Sequence, residues 1–311
     1  MTAAMTTLHQ TALMLLLLGI GVICARLGWF DERAAQALSR FLLWFVTPAL
    51  LLDAFYRPFC ADMAVGLVLS ALLAVLFHAA AALVSALLLR PSRPQYAVAR
   101  MGVVYSNCGF MAFPLISAVA GEQGIFYASA FVGVFNLFLW THGQRLLAGR
   151  QAFRLKNAVC NAGVLGTIAG AALYFLQIPL PALAVDLIDT LASLNTPLAM
   201  LVIGMLLAGC RMKELLCRRV LLPSLLRMVV LPLLLWALLL VLRVADWGAA
   251  GQMLFLVTLL CASCPSAAST VLMSAAMGKD SAYGARLVLC SSLLSVATIP
   301  AAAYLASFAL R

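Results

Sequence analysis

Apolar residues run along this chain in long blocks, separated by short polar connections. A helix that crosses a bilayer takes about 20 mostly apolar residues. Ten blocks reach that length: 7–26, 35–56, 63–89, 96–120, 124–144, 157–177, 186–208, 219–242, 248–276 and 282–308. None alternates strictly between apolar and polar positions, which excludes a membrane β-barrel. The pattern predicts an all-α integral membrane protein, a compact bundle of ten transmembrane helices.

Charge then orients the bundle. Of the 20 Lys and Arg residues, sixteen lie in or beside the connections after helices 1, 3, 5, 7 and 9. Arg227 lies further into helix 8 on the same side, placed to snorkel to the interface. Only Arg57, Arg243 and Arg311 lie opposite. Lys and Arg collect in cytoplasmic loops, so both termini are expected outside the cytoplasm of a multi-pass protein of the bacterial inner membrane. The formal net charge of +10 has the same origin. No basic stripe is interleaved with aromatics, so the lipid bilayer is an expected partner and nucleic acid is not. With 65% hydrophobic and 10% charged residues, no stretch is polar enough for a separate soluble domain. The first helix follows no basic leader and is read as retained. Asp53 and Arg57, spaced i,i+4 near the outer end of helix 2, read as an interfacial pair.

Catalytic chemistry is sparse. His9, His78 and His142 are the histidines, there is no H-E-x-x-H, and no paired carboxylates lie deep in a helix. An enzyme is therefore not expected. Nine cysteines lie mostly in apolar segments without disulfide spacing. Cys261-Ala-Ser-Cys264 reads as two small buried residues, so neither a metal nor another cofactor is expected.

The chain repeats itself. Thr47-Pro48-Ala49-Leu50 in helix 2 resembles Thr196-Pro197-Leu198-Ala199 in helix 7, an offset of 149 (196 − 47). Pro114 in helix 4 has a counterpart at Pro265 in helix 9, an offset of 151 (265 − 114). Residues 1–149 and 150–311 then read as two five-helix units, and an odd number of crossings per unit inverts the second. Inverted repeats with matched, interrupted helices point to a secondary transporter. Gly166-Thr-Ile-Ala-Gly170 predicts close helix packing in helix 6.

Helix 4 carries Ser106-Asn-Cys-Gly-Phe-Met-Ala-Phe-Pro-Leu115 at its centre, and helix 9 carries Ser263, Cys264, Pro265, Ser266 and Ser269. Broken helix is tolerated in hydrocarbon only where protein buries it or it lines a wet cavity. Both helices are expected to unwind near the midplane and cross, with Pro114 and Pro265 opening each resumed half-helix. Two half-helix N-termini would then favour an anion, oriented by Asn107, with Ser263, Ser266 and Asn136 as lining groups. Asn195 is a further candidate from helix 7. His78, central in helix 3, is a candidate for proton coupling.

These residues resemble the auxin efflux carrier family. The likeness rests on Asn107-Cys-Gly-Phe-Met-Ala-Phe-Pro114-Leu115, Thr196-Pro197-Leu198-Ala199 with Gly204, Pro265-Ser-Ala-Ala with Gly278-Lys-Asp280, and Ser291-Ser-Leu-Leu-Ser-Val-Ala-Thr-Ile-Pro300. The resemblance implies the crossover fold of bile-acid symporters and sodium/proton antiporters. Helices 1, 2, 6 and 7 would form a scaffold, and helices 3–5 and 8–10 a transport domain that moves as an elevator. It also implies a homodimer and an organic-anion substrate at the crossover, on Asn107, Pro114 and Pro265. Ala112 departs from the family's usual glycine two residues before the proline, so its methyl is expected to crowd the site. The resulting expectation is a secondary active carrier of a small mono- or dicarboxylate. The alternative is a ligand sensor or a channel.

Overall fold

The computed structural model describes residues 2–89, 95–149 and 160–310. Arg90, Arg93, Arg150, Arg154, Lys156 and Arg311, and the first residues assigned to helix 6, lie outside them. The described residues are helical almost throughout, and no strand occurs among them.

The helices are α1 (Ala3–Arg26), α2 (Glu32–Phe55), α3 (Ala61–Leu88) and α4 (Tyr96–Val104). The run Cys108–Ala148 follows. At a rise of about 1.5 Å per residue it would be about 60 Å long, twice the hydrocarbon thickness of about 30 Å. It is two helices. Gly121 adopts φ 60, ψ −158, a conformation open to glycine, and the chain turns there. Ile116 then lies 2.7 Å from where a Gly124 side chain would begin, although eight helical residues span about 12 Å. We call the two parts α5 (108–120) and α6 (122–148). Next come α7 (Ala162–Leu176), α8 (Ala182–Leu207), α9 (Arg218–Val241), α10 (Ala249–Ser263), α11 (Ser269–Ala276) and α12 (Ser281–Ala309). Among the described residues seven helices are long and apolar enough to cross a membrane, the double run counted as one; α7 and α10 are shorter apolar helices.

Side-chain caps start several of them. Asp31 accepts from the Ala34 amide at 2.7 Å, Asn161 from Val164 at 3.0 Å and Asp280 from Tyr283 at 2.8 Å. Each satisfies one of the amides that a helix N-terminus leaves without a carbonyl.

Three of the prolines inside these helices share a pattern, which Pro223 and Pro300 do not. A five-residue π turn, Leu42–Val46, Cys108–Ala112 or Leu226–Val230, ends two residues before Pro48, Pro114 or Pro232. A proline has no amide for the i−4 carbonyl, and its ring clashes with the turn before it. Widening that turn relieves both problems without ending the helix. This corrects the expectation for Pro114, which does not open a half-helix but sits inside one that began at Cys108.

Close approaches hold α1 to α8 and α2 to α7. A Cβ on Gly21 would overlap the Leu201 carbonyl, and one on Gly204 the Leu18 carbonyl. A Cβ on Gly170 would likewise lie 3.0 Å from the Leu51 carbonyl oxygen, and one on Gly166 2.8 Å from Pro48 Cα. Small residues admit such backbone contact, and membrane helices depend on it because lipid supplies no hydrophobic drive between them. Gly204→Leu should therefore cost about 3 kcal/mol and lower the melting temperature in detergent by several degrees. Gly19→Ala, whose added carbon meets nothing within 4 Å, should leave it unchanged.

Arg57 does not pair with Asp53. Its guanidinium donates to the Ala54 carbonyl at 2.9 Å and the Glu122 carbonyl at 3.0 Å. Carbonyls at two helix ends outcompete the carboxylate, and the outer end of α2 is tied to the start of α6.

Candidate functional site

α4 stops at Val104, and Tyr105 leaves it extended (φ −99, ψ 114). α10 stops at Ser263, and Cys264 leaves it extended (φ −65, ψ 149). The two links run antiparallel through a single bridge, Ser106 with Ser266. The Asn107 amide donates to the Pro265 carbonyl at 2.7 Å, and the Ala267 amide to the Tyr105 carbonyl at 3.0 Å. Ser266 adds a hydroxyl bond to the Gly102 carbonyl at 2.7 Å, and its amide donates to Ser291 Oγ at 3.0 Å. Each broken helix thus finds two of its missing backbone bonds on the other, and Ser291 supplies a further acceptor. Four helix ends meet here: the C-termini of α4 and α10, and the N-termini of α5 and α11.

A cavity of about 260 Å³ lies against the bridge. Ser106, Asn107, Gly109, Ala267, Ala268 and Ser269 line it from the two links and the N-termini that follow. Its walls are mostly apolar: Leu42, Leu43 and Thr47 of α2; Val132, Phe135, Asn136, Leu139 and Trp140 of α6; Val202, Ile203 and Leu206 of α8; Leu272 and Met273 of α11. The hydroxyls of Thr47, Ser106 and Ser269 are buried and have no partner within the protein. The walls come from the N-terminal part of α2 and the C-terminal parts of α6 and α8, with α11 alongside. Those helix ends join the arginine-rich connections, so the cavity runs from the bridge towards that face. A second cavity of about 260 Å³, lined by Tyr96, Arg218, Arg219 and Tyr283 among others, does not touch the bridge.

A bridge of two interrupted helices beside a sparsely polar cavity is transporter geometry, and sequence comparison agrees. The profile of the family described as membrane transport protein matches residues 6–158 and again residues 152–302. The chain belongs to this family, that of the auxin efflux carriers. No curated protein matches it.

In this membrane transport protein the candidate residues divide sharply. Asn107 is 4% exposed and lines the cavity, and its side chain makes no capping bond to α5. Asn136 also lines the cavity, with its amide nitrogen donating to the Val132 carbonyl at 3.0 Å. Pro265 lies in the link itself, where its carbonyl holds Asn107. The others do not line the cavity. Ser263, the last residue of α10, bonds back to the Leu259 carbonyl of its own helix at 2.7 Å, and Ser266, in the extended link, fastens the bridge. Asn195 donates to the Gly109 carbonyl at 3.1 Å and braces the start of α5. Pro114 and Ala112 sit beyond the bridge, within or just after the π turn of α5, so the Ala112 methyl does not crowd the cavity. His78 is buried among Phe77, Phe131, Phe135, Phe138 and Tyr105, with Nδ1 on the Ala74 carbonyl at 2.7 Å. It does not itself line the cavity, although Phe135 beside it does.

Arg227 corrects a further expectation. It does not snorkel: it is fully buried. Its guanidinium donates to the carbonyls of Cys264 at 3.0 Å and Val103 at 3.2 Å, and also to that of Ala262. Those carbonyls end α10 and α4. Its position two turns into an apolar helix was the available sequence signal, but nothing in the sequence named the carbonyls that hold it.

Proposed function

We propose that the chain is a secondary carrier that moves a small organic monocarboxylate across the bacterial inner membrane by alternating access, with both termini outside. The cavity at the bridge carries this reading. Two half-helix N-termini each contribute about +0.5 of a charge, which balances one carboxylate. Asn107, Ser106 and Ser269 supply donors beside them. The remaining wall is apolar, so the cargo has one charged end and an apolar body. A second carboxylate would be buried there without a partner, which disfavours the dicarboxylate half of the earlier expectation. The volume falls just below the range of about 300–1,000 Å³ usual for drug-sized ligands, which fits a small cargo.

Counting α4 with α5 and α10 with α11 as single interrupted spans gives ten crossings, arranged as two inverted units of five. The two family matches support that division. So do the paired contacts of Gly21 with Leu201 and Gly170 with Leu51, since the two glycines lie 149 apart (170 − 21). α1, α2, α7 and α8 form the scaffold, and the other helices form the moving domain. The cavity is lined from both bodies, as an elevator site between them would be. It is open towards the cytoplasmic face, and the Arg57 bond to Glu122 lies on the closed side. The protein works as a homodimer through the scaffold.

Exchange in proteoliposomes tests this reading. Radiolabelled phenylacetate, which has one carboxylate and an apolar ring, should exchange against internal phenylacetate, saturably. Its uncharged isostere phenylacetamide should not compete. Flux that neither saturates nor depends on internal phenylacetate would mark a channel. Binding without flux would mark a sensor.

A further inference from the structure

The buried guanidinium of Arg227 has no carboxylate partner. The ion pairs among the described residues are Arg243 with Asp246 and Arg286 with Glu214. Arg227 instead ties the C-terminal carbonyls of both half-helices that enter the bridge and lies 5.6 Å from the centre of the Phe77 ring. A buried charge is tolerated only where hydrogen bonds and opposite charge compensate it. The compensation available here is the pair of helix C-termini, each about −0.5 of a charge. Together they cancel one guanidinium.

That cancellation has a consequence on the other side of the bridge. Four helix ends meet, and without Arg227 their partial charges would sum to about zero. The pull of the α5 and α11 N-termini on an anion would then be opposed by the α4 and α10 C-termini behind them. We propose that Arg227 is a positioning residue for the cargo site: it silences the two C-terminal ends, leaving the cavity with the uncompensated positive field of the two N-terminal ends. Three bonds to two helices also fix how the links lie against each other, so one side chain sets both the geometry and the sign of the site. The inference gains its meaning from the anion reading above, but its test needs no cargo.

The test reads the potential in the cavity directly. Ser269 lines the cavity and is replaced by cysteine. Purified protein is treated with an anionic (sulfonatoethyl) or a cationic (trimethylammonioethyl) methanethiosulfonate. In each reaction the residue-269 thiolate attacks the reagent's sulfenyl sulfur, a disulfide forms and methanesulfinate leaves. Mass spectrometry follows modification at that residue alone, apart from the native cysteines. Adding Arg227→Met should lower the anionic-to-cationic rate ratio at least about tenfold, because the field acts oppositely on the two reagents. Arg227→Lys keeps the charge and should retain the ratio within about threefold while lowering the melting temperature. A purely structural role would change both rates together and leave the ratio alone, and that result in the folded Met variant overturns the proposal. Should the Met variant not be recovered as monodisperse protein, the Lys variant decides: a kept ratio supports the proposal and a collapsed ratio overturns it. A ratio that responds as expected alongside failed phenylacetate exchange would sink the carrier reading and leave this one standing.

Discussion

Asn107→Ala is expected to weaken phenylacetate binding by about 10- to 100-fold and to reduce exchange to near background. A hydrogen bond to a charged group is worth about 1.5–3 kcal/mol, and a factor of ten is about 1.4 kcal/mol. The side chain lines the cavity, whereas the bridge uses only the Asn107 backbone amide. Alanine keeps that amide, so the melting temperature without ligand should stay within about 2 °C; loss of the bond acts on cargo and not on fold. Asn107→Asp sharpens the comparison. It is nearly isosteric but sets a carboxylate against a carboxylate, which disfavours the charged cargo further. Binding should fall in the order Asn, Ala, Asp. If Ala exchanges phenylacetate like the wild type, or if Asp binds it better than Ala, the residue is not the carboxylate's donor.

The apolar blocks marked the membrane helices because hydrocarbon leaves little choice of composition over so many residues. Small polar and proline-containing stretches marked helices 4 and 9 as interrupted, and both are, because backbone freed in a membrane has to be met by protein. The position of the first interruption was not legible. Proline suggested Pro114, but the helix breaks at Tyr105–Asn107, and a π turn absorbs the proline further along. The proline marks the π turn, whereas the break, set by pairing with a distant segment, leaves no mark in residue type. The paired residues of the bridge, Ser106 and Ser266, are about 160 apart, so the match of Pro114 with Pro265 does not mark equivalent points of the two breaks. The Thr-Pro pairs at 47 and 196 remain alike in place: each follows a local departure from α-helix, the π turn before Thr47 and the turn at Leu194.

The serines show the same limit in the site. Ser263, Ser266, Ser106 and Ser269 are chemically identical, yet the first two bond to backbone and the last two face the cavity without partners. Which way each hydroxyl faces depends on where the helices break around the links, and those breaks follow from the pairing of distant segments. Arg227 was misplaced for a related reason. An arginine in a lipid-facing helix escapes to the interface, and only the meeting of α4 and α10 offers it a better set of acceptors inside.

Ala267→Pro should be the most damaging single change in the bridge. The Ala267 amide donates to the Tyr105 carbonyl, one of two backbone bonds that join the links. Proline removes the donor, and its ring has to fit where Ala267 is 3% exposed. The freed Tyr105 carbonyl is buried with no water to replace the lost bond, a situation that costs several kcal/mol in hydrocarbon. The loss also spreads, because the same links place Asn107 and the N-termini of α5 and α11 against the cavity. We expect either no monodisperse protein in detergent or a melting temperature lower by 10 °C or more, with no measurable phenylacetate exchange. Ala267→Ser keeps the amide and adds one small group, so it should fold and should lose no more than a few degrees. A proline variant that melts with the wild type would show that the bridge carries no stability. The positive ends of α5 and α11 would then need some other reason to converge.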